Sequence, residues 1–281
     1  MVSCQSESCS IPGKAHAQSL KIHQSKREAQ NLRTEVFFVS MTKYKIPKPK
    51  ELLEAGVHFG HQVRRWNPGM EPYIYTQMKG IHIIDLQRTQ ECLKIACEFL
   101  HETAKQKGQI VFVGTKRQAA DIVAGQAKRC GAFFVSERWL GGTITNFPVI
   151  KKNIDKLVEF KRKMDAGEFN HYTKKERLLI EREILKLEKS VGGIVGLKGV
   201  PAALFVVDVR KEKTAVREAK RRKVPVAALV DTNSSPLDVA FVIPGNDDAI
   251  KSISALVGVV ADAVESGYNE SEKEAVLDAK S

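Results

Sequence analysis

The sequence predicts an α/β protein: a doubly wound, mainly parallel Rossmann-like sheet that carries a protruding antiparallel coiled-coil helical hairpin. Three observations carry this. Continuous apolar runs, QIVFVG (109–114), ALFVVD (203–208) and PVAALVD (225–231), alternate with helical stretches, as strands of a parallel sheet covered on both faces do. A charge-dense segment, 151–189, separates the first two runs. Its apolar residues fall on narrow helical stripes, which suits a hairpin better than a sheet layer.

Taken in order, the first forty residues are polar, without a sustained apolar period or a secretory core. Arg27 and Arg33 are offset by Glu7, Glu28 and Glu35, unlike an organellar transit segment. This stretch is expected to be a disordered or non-native extension ahead of a second methionine, Met41, with a targeting segment as the alternative reading. KPKELLEAG predicts a short helix closed by Gly56. HIIDL (82–86) is a short apolar run, and RTQECLKIACEFLHETAKQKG is an amphipathic helix with Leu93, Ala96, Cys97 and Leu100 on one face. The strand QIVFVG leads at once into the helix TKRQAADIVAGQAKRCG, and FFV (133–135) is the next strand. ALFVVD, KEKTAVREAKRRK and PVAALVD repeat strand, helix, strand; FVI (241–243) and DDAIKSISALVGVVADAVES close the chain with a strand and a helix. In the insertion, Ile150, Ile154, Leu157 and Met164 form one stripe, Ile180, Ile184, Leu187 and Val191 another, and DAGEFNHY (165–172) turns between them. The expected map is an extension over 1–40, one α/β domain from 41–149 and 193–268, the hairpin over 150–192, and a flexible tail over 269–281.

The balance is basic: 45 Lys and Arg against 33 Asp and Glu, a net charge of +12. That favours a polyanionic partner. Five cysteines at wide spacings offer no C-x-x-C pair, so zinc ribbons and thioredoxin-type sites are excluded and a reduced compartment is expected. No run approaches the eighteen or so apolar residues that a membrane span needs, so no membrane partner is expected.

A doubly wound sheet takes ligands at the carboxyl ends of its strands, here the loops GTK (114–116), DVRK (208–211) and DTN (231–233). The chemistry of an enzyme is missing around them. There is no G-x-G-x-x-G and no G-x-S-x-G, and GGIVGLKG (192–199) lacks the G-K-[ST] ending and precedes a strand. An anion could still rest on the helix start after VFVGTK. The rival reading is therefore a nucleotide-binding α/β enzyme using these three loops, and a further one is a protein-interaction module built on the hairpin. Asn246, Asp247 and Asp248 read on their own as helix-capping residues.

Two loops point to nucleic acid. In VHFGHQVRRWNPGMEPYIY, Arg64 and Arg65 stand beside Trp66, among further aromatic residues. Guanidinium groups neutralise phosphates and flat rings stack on unpaired bases. Pro68 and Pro72 are expected to hold the segment extended and away from regular pairing. In SERWLGGTITNFPVIKK, Arg138 and Trp139 precede Gly141, Gly142, Thr143, Thr145 and Asn146, with Lys151 and Lys152 beyond. Paired glycines let backbone approach a phosphate chain, and the hydroxyls and amide can bond phosphate or ribose. A core anchor is the competing reading for each tryptophan.

The motifs LLEAGVHFGHQVRRWNP, GIHIIDL, FVGTKRQA, RWLGGTITNF, LFVVDVRKE and VDTNSSP with IPGNDDAI occur in this order. Together, from about 52 to about 267, they resemble the bacterial-type family of the second small-subunit ribosomal protein. The resemblance implies a non-enzymatic structural constituent of the small ribosomal subunit, cytoplasmic and ribosome-associated. It implies binding to small-subunit rRNA, with Lys116 and Arg117 of FVGTKRQA joining the residues above. It also implies neighbouring small-subunit proteins as partners, including the large multi-OB-fold protein that captures mRNA. No obligate homo-oligomer and no required cofactor are expected. Members of the family look able to hold a divalent metal, zinc or magnesium, in a structural role; the matching positions here are His61, Asp231, Asp247 and Asp248. One departure is DTNSSP, where the family's aspartate after DTN is Ser235.

Overall fold

The computed structural model describes residues 44–278; the expectation for residues 1–40 lies outside them. Its centre is a five-stranded parallel sheet in the order β5-β4-β6-β7-β8, made of β4 (Ile110–Val113), β5 (Phe133–Val135), β6 (Ala203–Val207), β7 (Val226–Val230) and β8 (Phe241–Pro244). The order reverses between β4 and β6, so the sheet is doubly wound and its switch point lies at the carboxyl ends of those two strands. β4, β6 and β7 are buried at every position, which is why they read as unbroken apolar runs rather than alternating ones.

Alternate side chains of each strand feed two separate cores. Ile110, Phe112, Phe205, Val207 and Leu229 meet α2 (Leu86–Lys105), α3 (Ala120–Cys130) and α7 (Ile250–Asp278) on one face. Val111, Val113, Leu204, Val206 and Val230 meet α6 (Lys213–Arg221) and the hairpin helices α4 (Phe147–Asp165) and α5 (Lys174–Val191) on the other. The hairpin's two predicted stripes form that seam, with Ile150, Ile154, Leu157, Ile184 and Val191 buried. Met164, placed on the same stripe, is exposed near the tip, where no sheet lies beneath it. Lys156–Glu183 and Lys161–Glu188 pairs bridge the two helices outside the seam. Thr173 and Glu176 close a capping box at the start of α5.

Three expectations need correction. The segment around Pro68 and Pro72 is not free of regular pairing: β1 (Phe59–Gln62), β2 (Ile74–Met78) and β3 (Ile81–Ile84) form a small antiparallel sheet in the order β1-β3-β2. Both prolines sit in a 3-10 turn between β1 and β2, where no ladder donor is lost. The helix after β4 begins at Ala120, because residues 115–119 first make a turn closed by Ala119 N–H donating to the Lys116 carbonyl at 2.8 Å. The expected tail from 269 is helical as far as Asp278, since α7 continues; Tyr268 anchors it by donating to the Gly108 carbonyl at 3.0 Å, and Ser271 is buried. Ahead of β1 a single-turn helix, α1 (Pro49–Glu54), buries Leu52 and ends at Gly56 with φ 75°, as KPKELLEAG implied. None of the helices among the described residues is long and apolar enough to cross a membrane.

The return from the hairpin depends on Gly193. A Cβ there would stand 2.2 Å from the Phe134 carbonyl oxygen of β5. Gly193→Ala is expected to cost roughly 1–3 kcal/mol of stability through the forced backbone shift, read as a lower midpoint in urea unfolding; an unchanged midpoint would show the contact to be loose.

Candidate nucleic-acid interface and metal cluster

The carboxyl edge of the sheet collects four acids and two bases. Lys116 follows β4, Asp208 follows β6, Asp231 follows β7, and Asp247 and Asp248 follow β8. His61 arrives from β1. It is carried there by two backbone N–H groups that donate to Thr232 on the turn after β7: His61 N–H to Thr232 Oγ1 at 2.8 Å and Asn67 N–H to the Thr232 carbonyl at 2.7 Å. Gly60 permits the approach, because a Cβ on it would meet Thr232 Cγ2 at 2.6 Å and the His82 carbonyl at 3.0 Å. The His61 ring then bridges two acids, with Nδ1 3.0 Å from Asp231 Oδ2 and Nε2 3.2 Å from Asp248 Oδ2. The hydrogen bond to Asp231 raises the His61 pKa against the opposing effect of burial.

One ligand atom from each of His61, Asp231, Asp247 and Asp248 lies within 4.8 Å of the others. Asp247 is the strained member. Its Oδ2 is buried with no hydrogen-bond partner, and burial, with Asp208 and Asp231 nearby, pushes its carboxyl up to about 7. An orphaned, buried carboxylate oxygen beside an imidazole and two further carboxylates is a donor set that fits a divalent cation. The capping reading of 246–248 holds for Asn246, whose Oδ1 accepts from the N–H groups of Asp248 and Ala249 at 2.8 and 3.3 Å. It fails for Asp247 and Asp248, which turn toward His61 and Lys116.

Lys116 is the main correction to the RNA-binding set at this edge. Its side chain is only 14% exposed, and its ammonium group lies 2.7 Å from both Asp247 Oδ1 and Asp248 Oδ1. Its pKa is raised; burial works against this, and the two aspartate hydrogen bonds prevail. The lysine is thus the internal counter-charge of the cluster. The adjacent turn is closed as well. Thr115 donates both its N–H, at 3.2 Å, and its hydroxyl to Glu212 Oε1. Burial raises the Glu212 carboxyl above its ordinary value. Glu212 thus already takes the two Thr115 donors at the start of the turn after β4.

The second predicted loop is organised by an acid too. Glu218 of α6, 9% exposed, accepts from Gly142 N–H at 2.8 Å, Ile144 N–H at 3.1 Å, Thr145 N–H and Oγ1 at 3.2 Å each, and Trp139 Nε1 at 3.3 Å. Trp139 is a core residue and cannot stack on a base, and the Thr143 hydroxyl is occupied by the Leu140 carbonyl at 2.6 Å. Gly142 and Thr145 likewise turn their polar groups inward. The reason is in α6: Ala215, Val216 and Ala219 form its buried face, and Glu218 shares that face. An acid on the apolar stripe of an otherwise basic helix was the signal available in the sequence.

What stays outward is basic. Arg64 and Arg65, in a short 3-10 turn, and Arg117, Arg138, Lys151 and Lys152 are exposed, together with Gly141 and Asn146. Trp66 is half-buried, its ring 5.2 Å from that of His82. The structure adds two residues that the sequence reading did not assign, Arg210 after β6 and Asn233 after β7; with Arg64 and Arg65 they line one depression.

These features define a basic α/β scaffold in which the buried acids Glu212, Glu218, Asp231 and Asp247 organise the loops and several arginines on those loops stay exposed. The family described as ribosomal protein S2 matches residues 52–267. Small ribosomal subunit protein uS2 of Petrotoga mobilis is 51% identical over 218 residues, 78% of this chain and 76% of that protein. The protein of the same name from Bdellovibrio bacteriovorus is 52% identical over 221 residues, 79% of this chain and 71% of its own. That of Geotalea uraniireducens is 51% identical over 218 residues, covering 78% and 85%. The chain belongs to the ribosomal protein S2 family. It is a structural protein of the small ribosomal subunit, associated with cytoplasmic ribosomes and acting in translation.

Two consequences are measurable. Burial alone would raise the Glu218 carboxyl, but the backbone N–H groups of Gly142, Ile144 and Thr145, with the Trp139 indole, hold it below its ordinary value. A depressed folded-state value means that the contribution is complete above the unfolded value near 4.5 and is lost as pH falls through the folded one. Glu218→Ala should lower stability by roughly 3 kcal/mol at pH 7 and flatten the loss of stability on acidification; wild-type stability at neutral pH would refute the role. Separately, Gly60→Ala should cost about 1–3 kcal/mol and speed amide exchange at Asn67, because the loop must lift off Thr232.

Proposed function

We propose that the chain binds small-subunit rRNA through the exposed cations Arg64, Arg65, Arg117 and Arg138, with Lys151 and Lys152 at the foot of the hairpin. The observation that carries this reading is the segregation of charge: buried acids organise the loops from within, and the arginines left on those loops have no acid partner among the described residues. Phosphate neutralisation and shape fit then supply affinity with little base readout. Docking of the large multi-OB-fold mRNA-binding protein is part of the same proposal and rests on the family resemblance.

The cluster of His61, Asp231, Asp247 and Asp248 would hold a structural divalent ion, zinc or magnesium. The ion would supply positive charge to the orphaned Asp247 oxygen and fasten β1 to the start of α7. Addition of zinc or magnesium to the metal-free chain should raise its melting temperature, and Asp247→Asn should abolish that rise while leaving the metal-free protein folded. Equal shifts in both proteins would dismiss the site.

The RNA reading is tested by incorporation. Arg64→Ala and Arg65→Ala should each weaken association with the small subunit by about 1–2 kcal/mol, as a charged hydrogen bond lost. In sucrose gradients the double variant should leave the small-subunit fraction at lower salt than wild type. Co-sedimentation identical to wild type at every salt concentration would refute the assigned grip.

A further inference from the structure

Arg64 and Arg65 are not alone at their edge of the sheet. They share a depression of about 730 Å³ with Arg210 and Asn233. The three contributing segments are separate in sequence, and two of them share an anchor at Thr232. Arg64 and Arg65 sit on the 3-10 turn Val63–Arg65, which is held between two anchors on Thr232, His61 N–H and Asn67 N–H. Arg210 follows Asp208, whose backbone is left-handed at φ 65° and whose Oδ1 accepts from Lys211 N–H at 3.1 Å. An aspartate tolerates that conformation because its short side chain bonds the turn. Asn233 follows Thr232 itself. Arg64, Arg65 and Arg210 are exposed, and none has a carboxylate partner among the described residues.

The lining chooses among ligands. A volume of this size is within the range of sites that take a nucleotide-sized group, about 300–1,000 Å³. Small-molecule pockets are mostly apolar and protein partners anchor through buried aromatic or aliphatic side chains. Here three guanidinium groups and one amide make the whole lining. Guanidinium forks match phosphate oxygens, and an amide can serve a neighbouring phosphate or ribose hydroxyl.

We infer that Arg64, Arg65, Arg210 and Asn233 form one composite seat for a phosphate group, and that its occupant is a backbone phosphate of RNA. The inference rests on the rRNA-binding reading and adds to it a shared site assembled at the carboxyl ends of β6 and β7. Arg210 and Arg64 then act on the same phosphate and are energetically coupled.

The test is binding of the full chain to a small-subunit rRNA fragment over a range of salt concentrations. Arg210→Ala, at an exposed position, should weaken binding roughly tenfold, the loss of one charged hydrogen bond, and lower the salt slope by about one. The Arg64→Ala, Arg210→Ala double variant should lose less than the product of the two single losses, and Asn233→Ala should lose affinity without a change in slope. If Arg64→Ala weakens binding while Arg210→Ala does not, or if the two losses simply multiply, the composite seat is wrong and the wider RNA reading stands. If no variant loses RNA affinity, both fail. Inorganic pyrophosphate supplies the second arm: a saturable melting shift in wild type that Arg210→Ala abolishes, with RNA affinity unaffected, would assign the seat to a small phosphate ligand and overturn its assignment to RNA. Displacement of the RNA by oligoglutamate at equal charge concentration would point to an acidic protein instead and overturn it equally.

Discussion

The attachment of the loop after β1 to the turn after β7 is the constraint on which the functional edge depends. Two backbone N–H groups, of His61 and Asn67, converge on one residue, Thr232, at 2.8 and 2.7 Å. The span between them carries Arg64, Arg65 and Trp66. Flanking residues extend the join in both directions: His61 reaches Asp231 and Asp248, and Asn233 continues to the arginine depression. The small antiparallel sheet thereby becomes part of the same edge as the parallel one. A segment that would otherwise be an exposed ribbon has its backbone held in place on either side of Arg64 and Arg65, which reduces the ordering cost of binding.

The second organising theme is the inward use of negative charge. Glu218 gathers a whole loop by accepting from its backbone, Glu212 closes the turn after β4, and the aspartates around Lys116 join four strand ends. In each case a carboxylate satisfies buried donors that would be costly to leave unpaired. In a chain of net charge +12 this arrangement leaves the outer surface more basic than the composition implies. It also explains why Gly142, Ile144, Thr145 and Thr115, on loops with the appearance of ligand cradles, turn their donors inward: Glu218 and Glu212 already accept from them.

The sequence was most legible where burial is continuous. The runs 109–114, 203–208 and 225–231 became strands because both faces of the sheet are covered, and the hairpin stripes became seams because their period is helical. The small sheet was missed because β1 and β2 are short, exposed over much of their length and separated by a proline-bearing 3-10 turn. The four metal-cluster residues were named through family resemblance, and the fold brings them together across 187 residues of chain, His61 to Asp248. Trp139 and Lys116 show the limit of residue type as a guide. Each has the chemistry for RNA, but which way it faces is decided by a distant acid, Glu218 in one case and Asp247 in the other. Arg210 and Asn233 lie in the loops DVRK and DTN that the sequence offered for a ligand, but nothing local singled them out; the convergence with Arg64 and Arg65 in one depression does.

The central claim is that the arginine loop is ordered by its attachment to Thr232 before any partner is met. Hydrogen exchange at the His61 and Asn67 amides of the free protein tests it most directly, since exchange reports local opening. The account predicts slow exchange at both sites in the free chain, little changed on entry into the small subunit. Rapid exchange in the free protein that slows only in the assembled subunit would show that the partner, and not the fold, shapes the loop.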